Sequence, residues 1–166
     1  MASSAPLVDY QGAFRFGVPP EVVWGAIERT GEFEAWWGWL GEFRLDGPGL
    51  EAGSVLVGVV SPPLPYQMRI RVELEQCVRP SSIEASVHGD LEGHGRLELS
   101  PDGDGTVASV TWTIEMMQRP MRTAARFAYP LLRWGHDRVV DATVHGFRRQ
   151  LVATGDGRRP GQPPGR

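Results

Sequence analysis

Between Tyr66 and Met117 the chain alternates apolar and polar residues in one stretch after another, and beyond Pro120 that period of two gives way to a helical one. Successive strand residues point to opposite faces. Tyr66, Met68, Ile70, Val72 and Leu74 therefore share one face, while Gln67, Arg69, Arg71 and Glu73 share the other. Ile83 to Leu91 and Gly93 to Leu99 keep apolar residues or glycine at odd numbers, with a turn expected near Glu92-Gly93. Asp102-Gly103-Asp104-Gly105 marks a second hairpin turn. The strand after it puts Ala108, Val110, Trp112, Ile114 and Met116 on one side. From Met121 to about Ala153 the pattern predicts one long helix, kinked at Pro130 and bent at Gly135. Ala124, Phe127, Ala128, Leu131, Leu132, Val139, Ala142 and Phe147 form its expected apolar stripe. An antiparallel sheet with one apolar face needs a cover, and this helix can lie along it.

The N-terminal part completes the order of elements. Tyr10 to Phe16 alternates as a first strand, with Tyr10, Gly12, Phe14 and Phe16 on one face. Pro19 and Pro20 are pre-set for a first helical turn, so a short helix is expected over 21–29. A second is expected over 32–39, carrying Phe33, Trp36, Trp37 and Trp39. Strands at Phe43–Leu45 and Ser54–Val60 follow, and the prolines of Ser61-Pro62-Pro63-Leu64-Pro65 interrupt the sheet. The result is an α+β order: strand, two short helices, about six antiparallel strands, one long helix. At 166 residues this makes one domain. Its expected limits are 8–153, with a flexible N-terminus over 1–7 and a disordered Gly/Pro/Arg tail over 154–166.

Several functions are disfavoured. The net charge of −3 provides no basic field for nucleic acid or an anionic membrane, although all 17 positive residues are arginine. Cys77 is the single cysteine, so neither an intrachain disulfide nor a cysteine-rich metal site is expected. The N-terminal residues lack the basic and apolar regions of a signal peptide, and no apolar run is long enough to span a bilayer. A cytoplasmic location is expected. Nucleophile-elbow, phosphate-loop and dinucleotide motifs are missing, and no cofactor is expected.

Local motifs carry a resemblance. Val18-Pro19-Pro20-Glu21-Val22-Val23-Trp24 resembles the approach to the first helix in the polyketide cyclase/dehydrase and lipid-transport family of the START/Bet v 1-like superfamily. The aromatic segment Phe33–Trp37 sits where that family often has an aromatic pair. Ser61-Pro62-Pro63-Leu64-Pro65-Tyr66, Gly89-Asp90-Leu91-Glu92-Gly93 and Trp134-Gly135-His136-Asp137 look like segments of an actinobacterial branch. The resemblance covers about 8–152 and implies the helix-grip fold: a curved antiparallel sheet of six to seven strands around a long C-terminal helix, with a cavity between them. It implies a hydrophobic small-molecule ligand that is polyketide, lipid or isoprenoid-like. The alternatives are an aromatase/cyclase performing aldol closure and dehydration, and an interaction module with a packed interior.

The expected cavity lining is Trp24, Trp36, Trp37, Tyr66, Met68, Ile70, Trp112, Ile114, Met116, Phe127, Leu131 and Trp134. Large apolar and aromatic side chains with a few polar atoms suit a flat, apolar ligand, although the same residues can simply fill a core. In the cyclase reading His136 is the catalytic candidate, since histidine exchanges protons near neutral pH. The bland reading makes it a hydrogen-bonded packing residue and pairs Asp137 with Arg133, or Asp141 with His145. His88, Asp90, Glu92 and His94 have metal-ligand chemistry, but alternation places them on the solvent side, so no metal is expected. Arg69 and Arg71 also face solvent, unless a bulge turns one inward to hold a ligand carboxylate or enolate, and the arginines from Arg119 to Arg149 read as a solvated helix face, with an acidic partner or an anionic-ligand entrance as the alternative. The expected partner is a hydrophobic small molecule, with no nucleic acid, no stable membrane insertion, and a homodimer left open.

Overall fold

The computed structural model describes residues 7–156, with only the backbone described at 120–127 and 154–156. The N-terminus expected to be flexible therefore lies outside the described residues except for Leu7, which opens the first strand. The expected tail lies outside them except for 154–156, whose backbone continues the last helix.

The elements follow the expected order. Strand β1 (Leu7–Phe16) leads to α1 (Pro20–Ile27), a 3-10 turn (Thr30–Glu32) and α2 (Phe33–Trp36). Six strands follow: β2 (Leu40–Asp46), β3 (Val55–Val60), β4 (Met68–Val78), β5 (Ser82–Gly89), β6 (Leu91–Asp102) and β7 (Gly105–Met116). Helix α3 (Arg119–Asp156) closes the chain. All neighbouring strands pair antiparallel in the order β1-β7-β6-β5-β4-β3-β2. This seven-stranded sheet, curved around a long C-terminal helix, is the helix-grip fold. The long-range closure of β1 on β7 sets Tyr10 opposite Trp112 and Phe14 opposite Ala108.

Local chemistry accounts for the departures from the expected boundaries. The β5–β6 turn centres on Asp90, two residues before the expected Glu92-Gly93. Gly89 adopts φ 112°, and a side chain there would meet the Arg69 carbonyl at 2.5 Å. Asp90 fastens the turn, since its carboxylate accepts the Arg69 N–H at 2.7 Å while its own N–H donates to the Arg69 carbonyl at 2.9 Å. Strand β4 begins at Met68, so Tyr66 lies in the proline loop, its N–H donating to the Leu64 carbonyl at 2.8 Å.

Helix α3 breaks at Ala128 (φ −117°, ψ 21°), two residues before Pro130. Proline has no N–H for the preceding turn and its ring crowds that turn's carbonyl, which places the break ahead of the ring. Gly135 does not bend the helix. It is buried against the proline loop, where an added Cβ would lie 2.7 Å from Leu64 Cδ1. Two of the family-like segments, one in the loop and one on the helix, thus meet in space.

Two apolar clusters fill the grip. The first joins α1, α2 and the C-terminal half of α3 through Phe16, Val23, Trp24, Phe33, Trp36, Leu99, Phe147 and Leu151. Trp24 is its anchor at 1% exposure. Burying a ring of that size removes roughly 150–250 Å² from water, worth about 4–6 kcal/mol at 25 cal/mol per Å². The second cluster contains Val60, Met68, Leu91, Met116 and Leu132, with Trp39, Leu64, Tyr66, Ile70, Val87 and Ile114 packed against it.

Candidate functional site

A cavity of about 410 Å³ lies between the sheet and α3. Its sheet wall comes from β1, β6 and β7: Phe14, Phe16, Leu97, Leu99, Ala108, Val110 and Trp112. Its helix wall is His136, Val139, Val140, Thr143, Val144 and Phe147 of α3. Val23 and Ile27 of α1, with Phe33, Trp37 and Trp39, close the end. The volume falls within the roughly 300–1,000 Å³ of ordinary small-molecule sites.

Apart from Trp39 Nε1, which is buried without a partner, the side-chain polar groups in this lining are bonded within the protein. Trp112 Nε1 donates to His136 Nε2 at 3.1 Å, and His136 Nδ1 lies 3.2 Å from Asp137 Oδ1. An Nε2 that accepts places the ring proton on Nδ1, where it donates to Asp137. Tyr10 stacks on Trp112 with ring centroids 4.4 Å apart and meets His136 edge-on at 5.2 Å. Burial, with Asp137 and Asp141 nearby, pushes the Tyr10 phenol above its ordinary value. Gly12 makes this stack fit, because the Tyr10 ring folds over the space a Gly12 Cβ would occupy. At the other end Trp37 Nε1 donates to the Thr143 carbonyl at 3.0 Å, and the Thr143 hydroxyl donates to the Val139 carbonyl at 2.6 Å. Gly146 lets α2 come this close, since a Cβ there would lie 2.7 Å from the Trp36 carbonyl. Trp37 and Trp39 stack at 5.6 Å.

Trp37, Trp112 and His136, all singled out in the sequence, come together on the cavity. Trp24 and Trp36 instead lie in the adjoining core. Trp24 Nε1 donates to Glu28 Oε1 at 2.7 Å, and the Arg29 guanidinium stands 5.0 Å over the Trp36 ring. Tyr66, Met68, Ile70, Ile114 and Met116 pack instead in the second cluster, at the end of the sheet where Val60 pairs with Met68 and Leu91 with Met116. Burial raises the Tyr66 phenol above its ordinary value. Leu131 and Trp134 point outward at 51% and 46% exposure, Trp134 under the Arg138 guanidinium. The inward stripe of α3 is Leu132, Gly135, His136, Val139, Val140, Thr143 and Phe147, so glycine, histidine and threonine hold inner positions that an apolar-only pattern passes over. Phe127 lies outside the described side chains.

Phe14, Phe16, Leu97, Leu99 and Val110 were absent from the expected lining. Alternation puts them on the inner face, and the β1–β7 closure brings Phe14 and Phe16 beside the Leu97, Leu99 and Val110 that the β6–β7 pairing sets together.

The acidic and histidine residues of the β5–β6 turn are structural. Glu92 accepts the Gly89 N–H at 3.1 Å and faces His88 Nδ1 at 2.9 Å, which holds its carboxyl below the ordinary range, the backbone bond contributing most. Among the described residues no group of three or more His, Cys, Asp or Glu could hold a metal ion. Arg69 pairs with Glu42 at 2.8 Å on the outer face. Among the described residues no helix is long and apolar enough to cross a membrane.

The fold and its cavity define the class: a helix-grip domain with an apolar pocket under its long helix. Within it, the chain belongs to the polyketide cyclase/dehydrase and lipid transport family, which matches residues 9–152. No curated protein sequence matches it. Among solved structures it is similar to TTHA0849 from Thermus thermophilus, at 15% identity over 89% of this chain and 99% of that one, with a TM-score of 0.75. It is also similar to the Zhui aromatase/cyclase from Streptomyces sp. R1128, at 10% identity over 88% and 94%, TM-score 0.70. A norcoclaurine synthase from Thalictrum flavum, in complex with dopamine and hydroxybenzaldehyde, shares 12% over 90% and 89%, TM-score 0.63. At these identities the likeness is one of fold.

Proposed function

We propose that the chain binds and carries a hydrophobic small molecule, of polyketide, lipid or isoprenoid type, in the cavity between the sheet and α3, as a cytoplasmic protein. The observation that carries this reading is the 410 Å³ cavity itself, walled by Phe, Leu, Val and Trp side chains from three strands and three helices. A fully packed core leaves no void of this size. The aldol alternative needs a polar group free to hold an enolate, and the hydrogen-bonding groups of His136, Trp112, Trp37 and Thr143 are already engaged.

A thermal-shift screen against fatty acids, isoprenoids and polycyclic aromatic polyketide mimics tests the reading. A ligand at about 100 times its Kd adds roughly 2.7 kcal/mol, a shift of several degrees for a domain of this size. A reproducible, class-selective shift is the expected outcome. Silence across the panel counts against binding and turns attention to the outward Leu131 and Trp134 as a partner surface.

A further inference from the structure

We infer that the part of the ligand held in the cavity is a hydrocarbon without hydrogen-bonding groups, and that Trp39 sets how long it can be. The inference rests on the binding reading above and narrows it to a chemical class.

The first half follows from the hydrogen bonds of the wall. Each N–H or O–H of the described lining has one of two fates. Trp112 is bonded to His136, His136 to Asp137, Trp37 to the Thr143 carbonyl, and Thr143 to the Val139 carbonyl. Trp39 Nε1 has no partner, and it is shielded from the cavity as from solvent by the atoms around it. A ligand carbonyl would find no free donor here, and a ligand hydroxyl would find almost no polar atom exposed in the wall, so each would lose its water partners without replacement. Alkyl, isoprenoid and aryl groups lose nothing there.

The second half follows from where Trp39 stands. Its ring lines the cavity and also packs against the cluster of Val60, Met68, Leu91, Met116 and Leu132. It is thus the partition between the open half of the grip and the filled half, and its stack on Trp37 holds it there. A chain growing toward that wall stops at the indole.

Isothermal titration calorimetry on the full chain tests both halves. Bibenzyl and benzil share a skeleton and differ by two carbonyls. Bibenzyl is expected to bind roughly a hundredfold more tightly or better, a preference larger than the ratio of their octanol–water partition coefficients. Equal affinities, or tighter binding of benzil, overturn the hydrocarbon inference and leave the binding reading standing. In a series of n-alkylbenzenes, affinity is expected to rise with each methylene and then stop at a fixed chain length. Trp39→Leu should move that stop outward by several carbons, and Trp39→Phe by fewer. A stop that stays put in either variant, with native circular dichroism retained, overturns the role of Trp39. If neither bibenzyl nor any alkylbenzene binds, the cavity reading itself fails and this inference with it.

Discussion

The indole N–H of Trp112 on β7 donates to Nε2 of His136 on α3 across 3.1 Å, and this bond ties the sheet wall of the cavity to its helix wall. It fixes the imidazole as an acceptor on one side and a donor to Asp137 on the other. His136 therefore acts as a strut between the two layers of the grip. Trp112→Phe keeps an aromatic face for Tyr10 but leaves Nε2 half-buried without its donor, and should cost about 1–3 kcal/mol. Adding His136→Leu removes the stranded acceptor and should restore much of the loss, as replacing both partners by apolar groups often does. Urea denaturation of the four proteins of the cycle measures the coupling. Additive losses would mean that the bond does not hold the layers together.

Two glycines make an opposed pair. At Gly146 a new Cβ would press on the Trp36 carbonyl at 2.7 Å and on Trp37 Cδ1 at 2.9 Å, where α2 docks on α3. The carbonyl is backbone and cannot turn aside, so Gly146→Ala should destabilise by about 1–3 kcal/mol. At Gly25, inside α1, a Cβ meets nothing within 4 Å. Gly25→Ala should therefore stabilise by about 0.5–1 kcal/mol. Thermal melts of the two variants should move in opposite directions.

The contrast between these glycines also shows what was legible in the sequence. Period-two alternation gave the inner face of every strand from β4 to β7, because burial of one sheet face imposes it locally. The change of period after Pro120 gave α3 for the same reason. Alternation does not say which half of the inner face is filled. That depends on β1 pairing with β7 and on Trp39 and Leu132 packing over the Met68 and Met116 end of the sheet, contacts between residues far apart in sequence. Tyr66, Met68 and Ile70 therefore read as lining, while Phe14 and Leu97 read only as core. An apolar pattern alone turns Leu131 and Trp134 inward, whereas they are exposed, because the inner stripe of α3 runs through Gly135, His136 and Thr143, which such a pattern does not count.

Tyr10 offers a readout of the stacked site at alkaline pH. Burial, and then Asp137 and Asp141, raise its phenol above the ordinary tyrosine value in the folded chain. Its contribution is fully present below the unfolded-state value. Above that value the unfolded chain releases the proton first, so the contribution is lost as pH rises through the folded-state value. Phenolate absorbance should show a late component that Tyr10→Phe removes, and the variant should lose less stability than the parent on going alkaline. A variant with an unchanged phenolate titration would place the raised group elsewhere, with Tyr66 the next residue to replace.

Glu92 works in the opposite direction. The Gly89 N–H, and then His88, hold its carboxyl below the ordinary carboxylate value in the folded protein. The unfolded chain therefore binds the proton first as pH falls. The contribution is present above the unfolded-state value and is lost as pH drops through the folded-state value. The His88 imidazole also holds this carboxyl, so the comparison belongs in a His88→Gln background, which leaves the Gly89 N–H as the partner under test. There, Glu92→Gln should be less stable than its parent at neutral pH, and the gap should close on acidification as the parent's carboxylate takes up its proton. Because Glu92 also braces the turn that Asp90 ties to Arg69, hydrogen exchange at the Gly89 amide should quicken in the variant. A gap that is constant with pH would assign the bracing to shape rather than charge, with the glutamine amide accepting the Gly89 N–H as poorly at acid pH as at neutral.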